Sequence, residues 1–244
     1  MKGFSSGLAH LFAGFRLVLG VPSIRKWAVI PVVINLALLI GMIVLAFFFT
    51  DDLLAWLGMN TAPVGFWKSV VYWLAWVGLV ALLIAASVLI MVLLSNVIAA
   101  PFYTKLAEAT LRHLTGREFG QEGSFARLAV VSIYQELVKL AIFIGIQAVL
   151  LAFHFIPVLG TLISLTVSCF LLAFEFSDYS LEAYGHGVMA RWRFVLAHKP
   201  AMFGFGGGAF ALTLIPLANL FVAPAAVAGA ARMVVELKGE KNVR

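Results

Sequence analysis

Apolar residues in this chain come in runs longer than a soluble helix or strand carries. Residues 69–104 hold 36 consecutive positions without Asp, Glu, Lys or Arg, and residues 27–50, 140–174 and 200–231 form three further uncharged blocks. The hydrocarbon core of a bilayer is about 30 Å thick and is crossed by about 20 apolar residues of helix, whose amides pair within the segment because no water reaches them. Block 27–50 fits one spanning helix, and block 69–104 is long enough to cross and run on beyond the membrane at about 1.5 Å per residue. Blocks 140–174 and 200–231 are interrupted by Pro157 to Gly160 and by Pro216 to Asn219, leaving arms of about 15 to 17 residues that barely reach across. Each reads either as two short spans or as a helical hairpin that dips into the membrane and returns. The pattern predicts an all-α integral membrane protein forming a single membrane domain over residues 1–244.

The two breaks also read alike. Ile156-Pro157-Val158-Leu159-Gly160 is followed 59 residues later by Ile215-Pro216-Leu217-Ala218-Asn219. Paired Pro-interrupted apolar segments point to transporter cores, whereas a match this brief also fits two ordinary loops. Ahead of the first block, Phe4, Leu8, Leu11, Phe12, Phe15, Val18 and Leu19 share one side of a helix, with Ser5, Ser6, His10 and Arg16 around the remainder. Residues 1–26 are thus expected to form an amphipathic helix along the membrane interface. They are not expected to be a cleaved signal, for no small-residue cleavage site follows a short apolar core. Residues 105–139 mix Glu108, Arg112, Arg117, Glu118, Glu122, Arg127 and Glu136 among apolar positions, which suits helices leaving the membrane, punctuated by Gly116, Gly120 and Gly123.

Composition sharpens this picture. With 63% hydrophobic residues, 11% charged residues and a mean hydropathy of +1.06, a soluble globule of 244 residues would lack the polar surface to cover itself. Of the 17 Lys and Arg residues, all but Lys68 fall on one side of the expected spans, so both termini are expected in the cytoplasm. The net charge of +6 therefore reports orientation, and no nucleic-acid partner is expected. The lone Cys169 offers neither a disulfide nor a multi-cysteine metal site. No metal-ligand or phosphate-cradling motif is present and the five histidines are scattered, so no metal, no cofactor and no enzymatic activity is expected. Gly204, Gly206 and Ala209 match a dinucleotide fingerprint in letters only, having no preceding strand. With Gly208, and with the Ala225 and Gly229 pair, they read as close-packing positions that let the two arms of a hairpin approach.

The candidate chemistry lies in Pro22-Ser23-Ile24-Arg25-Lys26-Trp27, at the mouth of the first span. Ser23 is a good helix N-cap, so the amides of Ile24, Arg25 and Lys26 are expected to face outward at the positive end of the helix dipole. Arg25 adds a planar donor fork and Lys26 a mobile point charge, which together suit a tetrahedral oxyanion. The same basic residues would also serve topology and lipid headgroups. Asn35, Asn96, Gln147 and Asn219 are candidate pore-lining amides, the competing role being interhelical hydrogen bonding. Glu175 and Asp178 are expected to pair with Arg191 or Arg193 or to couple protons.

Gly20-Val21-Pro22-Ser23-Ile24-Arg25-Lys26-Trp27, followed by Ile30-Pro31 and Asn35, resembles the first-span signature of the CysZ-type sulfate permease family. Ala99-Ala100-Pro101-Phe102-Tyr103, Asp178-Tyr179-Ser180 and Thr213-Leu214-Ile215-Pro216-Leu217-Ala218-Asn219 resemble further family blocks in family order. The resemblance implies two long transmembrane helices plus two partly inserted, Pro-broken hairpins, a homo-oligomer in the lipid bilayer of a bacterial inner membrane, and sulfate uptake that supplies cysteine synthesis. Carried over by position, it implies that Ser23, Ile24, Arg25 and Lys26 bind sulfate, Lys26 standing where members often have a second arginine. The contrasting expectation is a membrane-shaping or scaffolding protein, whose amphipathic N-terminus and half-inserted hairpins wedge one leaflet.

Overall fold

Eight helices account for nearly all of the described residues, 3–56, 64–120, 124–156 and 158–240, of the computed structural model. They are α1 (Phe4–Gly20), α2 (Pro22–Trp56), α3 (Phe66–Thr115), α4 (Phe125–Phe153), α5 (Leu159–Ala183), α6 (Val188–Ala197), α7 (Lys199–Thr213) and α8 (Pro216–Leu237). No strand occurs among the described residues. Four segments are long and apolar enough to cross a membrane: Pro22–Leu45, Phe66–Ser87, Ala126–Phe153 and Leu159–Ala183. The described residues form two compact units, Val33–Ile98 and a larger one made of the chain on either side of it.

The smaller unit is a pair of apolar helix segments whose side chains face outward. Val33, Ile40, Phe48, Val71, Leu74, Leu82 and Leu89 are all exposed, an arrangement that water would penalise and lipid would not. Trp56 and Trp67 lie exposed at the ends nearest Asp52 and Lys68, where amphipathic rings favour a membrane–water boundary.

The larger unit is organised around α1. This helix packs against α7 and α8, which pack on each other and on α5. Glycines set the approach. A Cβ on Gly7 would lie 1.9 Å from the Ala201 carbonyl oxygen, and one on Gly204 would lie 2.0 Å from that of Phe4. One turn pair further on, Gly14 meets the backbone of Ala225 and Gly229, while Gly229 in turn meets that of His10. Backbone therefore touches backbone at two levels, as small residues permit. Leu11 is fully buried between them, whereas Phe4, Phe12 and Leu19 face outward.

Several expectations change here. Within α1, the residues buried against protein are Gly7, His10, Leu11, Ala13 and Gly14, a face that the apolar periodicity did not single out. Gly204 and Gly229 serve a third helix, α1, and not only the two arms of their own hairpin. Block 140–174 breaks at its expected place, but α4 and α5 are 29 and 25 residues long, beyond the 15 to 17 expected. They run on into charged flanks whose charges pair with one another, so both helices reach spanning length. Block 200–231 breaks at Leu214 and Ile215, and α7 with its 15 residues is only about 22 Å long. The two turns differ in backbone: Val158 is left-handed at φ 65, whereas Ile215 is extended, and Pro157 lies outside the described residues. Helix α6 was not foreseen.

His10 sits in this helix junction with Glu236 3.4 Å away. Burial pushes its imidazole below the ordinary value of 6.5, Glu236 pulls it upward and Arg232 pushes it down again. The unfolded ring takes up a proton below 6.5 while the folded ring resists, so this contribution is complete above 6.5 and is lost as pH falls through the lowered folded value. Melting curves against pH should accordingly show an acid loss of stability that is shallower in His10→Gln. At constant pH, Gly14→Val should destabilise the fold by about 1–3 kcal/mol through overpacking. Gly20→Ala, with nothing within 4 Å, should stay within about 0.5 kcal/mol of the parent, as thermal unfolding followed by size-exclusion would report.

Candidate functional site

Pro22 occupies the first position of α2, where its missing N–H costs nothing and its fixed φ suits the helix. The chain reaches it through Val21 alone, which is extended. The amides of Ile24 and Arg25 donate to the Val21 carbonyl at 3.1 and 2.9 Å. Val21, rather than Ser23, therefore caps the helix, and the outward-facing amides expected at Ile24 and Arg25 are already engaged. The Ile24 side chain is fully buried in the core, while Ser23, Arg25 and Lys26 are exposed. What the first turn offers an anion is side-chain charge.

Lys26 does not stand alone. Lys105, Glu108 and Arg112 of α3 are three and four residues apart and so share a helix face. With Lys26, Trp27, Glu118 and Phe119 they line an open cavity of about 380 Å³. Lys105 Nζ lies 2.7 Å from Glu108 Oε2, and Arg112 Nη1 lies 3.5 Å from Glu118 Oε2. Gly116, left-handed at φ 71, ends α3 and turns the chain back, its amide donating to the Arg112 carbonyl at 2.9 Å. Sequence reasoning treated these α3 residues only as a cytoplasmic extension. Their spacing was the signal, but nothing in the sequence joins residue 26 to residue 105.

The loop that carries Glu118 and Phe119 is held by the end of the chain. Arg117 pairs with Glu240, the Tyr184 hydroxyl donates to Glu240 Oε2 at 2.8 Å, and Lys238 Nζ lies 4.5 Å above the Tyr184 ring. Burial pushes the Glu240 carboxyl upward, but the hydrogen bonds from Arg117 and Tyr184 outweigh it and hold the group below the ordinary carboxylate value. Burial and the same bond to Glu240 push the Tyr184 hydroxyl up.

A second charged cluster joins α4, α5 and α6. Lys139 Nζ lies 2.8 Å from Glu136, 3.2 Å from Glu175 and 3.9 Å from Asp178. Arg191 Nη1 reaches Asp178 at 3.0 Å and Glu182 at 3.7 Å, and its Nε donates to the His186 carbonyl. Arg191, not Arg193, is thus the partner of Asp178. Lys139, Asp178 and Arg191 also border a largely apolar cavity of about 300 Å³, where Phe174 and Trp192 stack at 3.9 Å. The candidate pore amides do not gather in one described place. Asn35 and Asn96 belong to the smaller unit, Gln147 is exposed on α4, and the Asn219 side chain lies outside what is described.

Four helices of spanning length point to a multi-pass membrane protein, and its pocket brings three cations and two carboxylates together. The family described as Sulfate transporter CysZ/Etoposide-induced protein 2.4 matches residues 10–224. A relative from Pseudomonas aeruginosa named Sulfate transporter CysZ is 31% identical over 97% of this chain and 97% of its own length. Relatives with the same name from Vibrio cholerae and Pectobacterium atrosepticum are 31% and 30% identical, over 97% and 95% of this chain and 96% and 85% of their own lengths. The chain belongs to this family, which is a family of transporters and not of enzymes.

Removing one partner from a buried ion pair leaves the other charge uncompensated, at a cost of about 3–5 kcal/mol. Lys139→Met and Arg191→Met should each lower the melting temperature sharply, whereas Arg193→Met, on an exposed position, should leave it nearly unchanged.

Proposed function

We propose that this protein takes up sulfate across the inner membrane of a bacterial cell and supplies sulfur assimilation and cysteine synthesis. The anion is captured in the cationic pocket at the N-terminal end of the first spanning helix. The observation that carries this reading is the meeting of Lys26, Lys105 and Arg112 in one pocket, in a chain whose relatives are named sulfate transporters. Arg112 brings the fork that matches an oxyanion edge, and the two lysines bring point charges. Among the residues nominated from sequence, Lys26 lines the pocket, Arg25 and Ser23 add exposed donors beside it, and Ile24 anchors the turn in the core.

Asn35, Asn96, Gln147 and Asn219 are proposed as polar steps along the route. Support comes from Asn35, whose Oδ1 is buried without a hydrogen-bond partner among the described residues, a costly state in lipid unless water or a solute meets it. The charge bias of the loops supports cytoplasmic termini, and the outward-facing apolar helices support a single lipid-embedded domain that assembles as a homo-oligomer.

Uptake of radiolabelled sulfate into proteoliposomes tests the reading. Arg112→Ala and Lys26→Ala should each cut the rate at low sulfate by about tenfold, the worth of one charge-assisted contact, without altering the size-exclusion profile. Absence of flux in the parent protein, together with lipid remodelling that both variants retain, would assign the chain to membrane shaping instead.

A further inference from the structure

The pocket read above as the sulfate site contains two carboxylates, and they are held very differently. Glu108 is buried, lies 2.7 Å from Lys105 and is backed by Gly120, where a Cβ would come within 2.9 Å of its carboxylate. Its side chain is only 9% exposed. Glu118 reaches Arg112 at 3.5 Å from a side chain that is 81% exposed, on the short loop after α3. An ion pair so open to water is close to neutral in free energy and is readily exchanged.

Charge matching gives this difference a use. With both carboxylates in place, the three cations Lys26, Lys105 and Arg112 leave the lining with one net positive charge. With Glu118 withdrawn the lining carries two, which matches a divalent oxyanion. A monovalent anion gains less from the exchange, because it replaces one single charge by another. We propose that Glu118 is a displaceable counter-ion that competes with the incoming anion for the Arg112 guanidinium, and thereby sets the affinity of the site. Such a competitor also keeps binding weak enough for the ion to depart, as conduction requires. This inference rests on the reading of the pocket as the sulfate site.

Calorimetric titration of the purified full chain with sulfate, alone and against nitrate, separates the two ideas. Asp52→Asn, in the smaller unit, controls for the change in net charge and should leave both titrations as in the parent. Glu118→Gln should lower the sulfate Kd by about two- to fivefold, the range that an exposed ion pair can supply, and should lower the nitrate Kd by no more than that factor. Arg112→Ala should raise the Kd, and in the double variant Arg112→Ala with Glu118→Gln the gain from Glu118→Gln should vanish, since the competitor has lost its target. An unchanged or higher Kd in Glu118→Gln, with Arg112→Ala still weakening sulfate, overturns the counter-ion role and leaves the pocket standing. Absence of sulfate binding in the parent and every variant overturns the pocket reading and this inference with it.

Discussion

A charge withdrawn from water must meet its opposite, and most of the polar architecture of this protein follows from that constraint. Along α4 and α5 the apolar blocks end at Lys139 and at Glu175, yet the helices continue, because Lys139 finds Glu136, Glu175 and Asp178, and Arg191 finds Asp178 and Glu182. Each carboxylate is tolerated at low exposure only through a cation on another helix turn or on α6. Pairing thus lengthens two helices to spanning size and ties α6 to them. It is an arrangement of fixed partners.

The pocket beside Lys26 obeys the same constraint with a looser solution. Its cations are balanced by one buried carboxylate and one exposed one, so part of its charge is neutralised within the protein and part is open to exchange with solvent. The loop that supplies the exposed carboxylate is itself pinned by Arg117, Glu240 and Tyr184. Rigid pairing in one place and exchangeable pairing in another separate what holds the helices together from what meets an ion.

Packing supplies the second half of the design. Where α1 crosses α7 and α8, glycines on both sides bring backbones into contact, and the core forms around Leu11, Phe205 and Val227. In the smaller unit, by contrast, large apolar side chains such as Ile40, Phe48, Leu74 and Leu82 are exposed. In a bilayer they gain little by associating with each other, so tight association falls to small residues that permit short-range dispersion contact.

How much of this was legible in the sequence depends on the range of the interaction. The uncharged runs identified the membrane, the breaks near Pro157 and Pro216 located both turns, and the motifs around Ser23 to Trp27 pointed to the family, because each is a local property of consecutive residues. Periodicity picked out the apolar side of α1 but did not say which residues meet protein, since that depends on the glycines of α7 and α8. Helix α6 was not foreseen, and the continuity of α4 and α5 across Lys139 and Glu175 escaped because charged residues end an apolar run until their partners are known. Only the tertiary structure decided that Lys26 shares a pocket with Lys105 and Arg112, nearly eighty residues further along. The sequence by itself determined what must be shielded from water and roughly where the chain turns. The fold decided which charges meet, because electrostatic and steric complementarity act through space between residues that no local pattern connects.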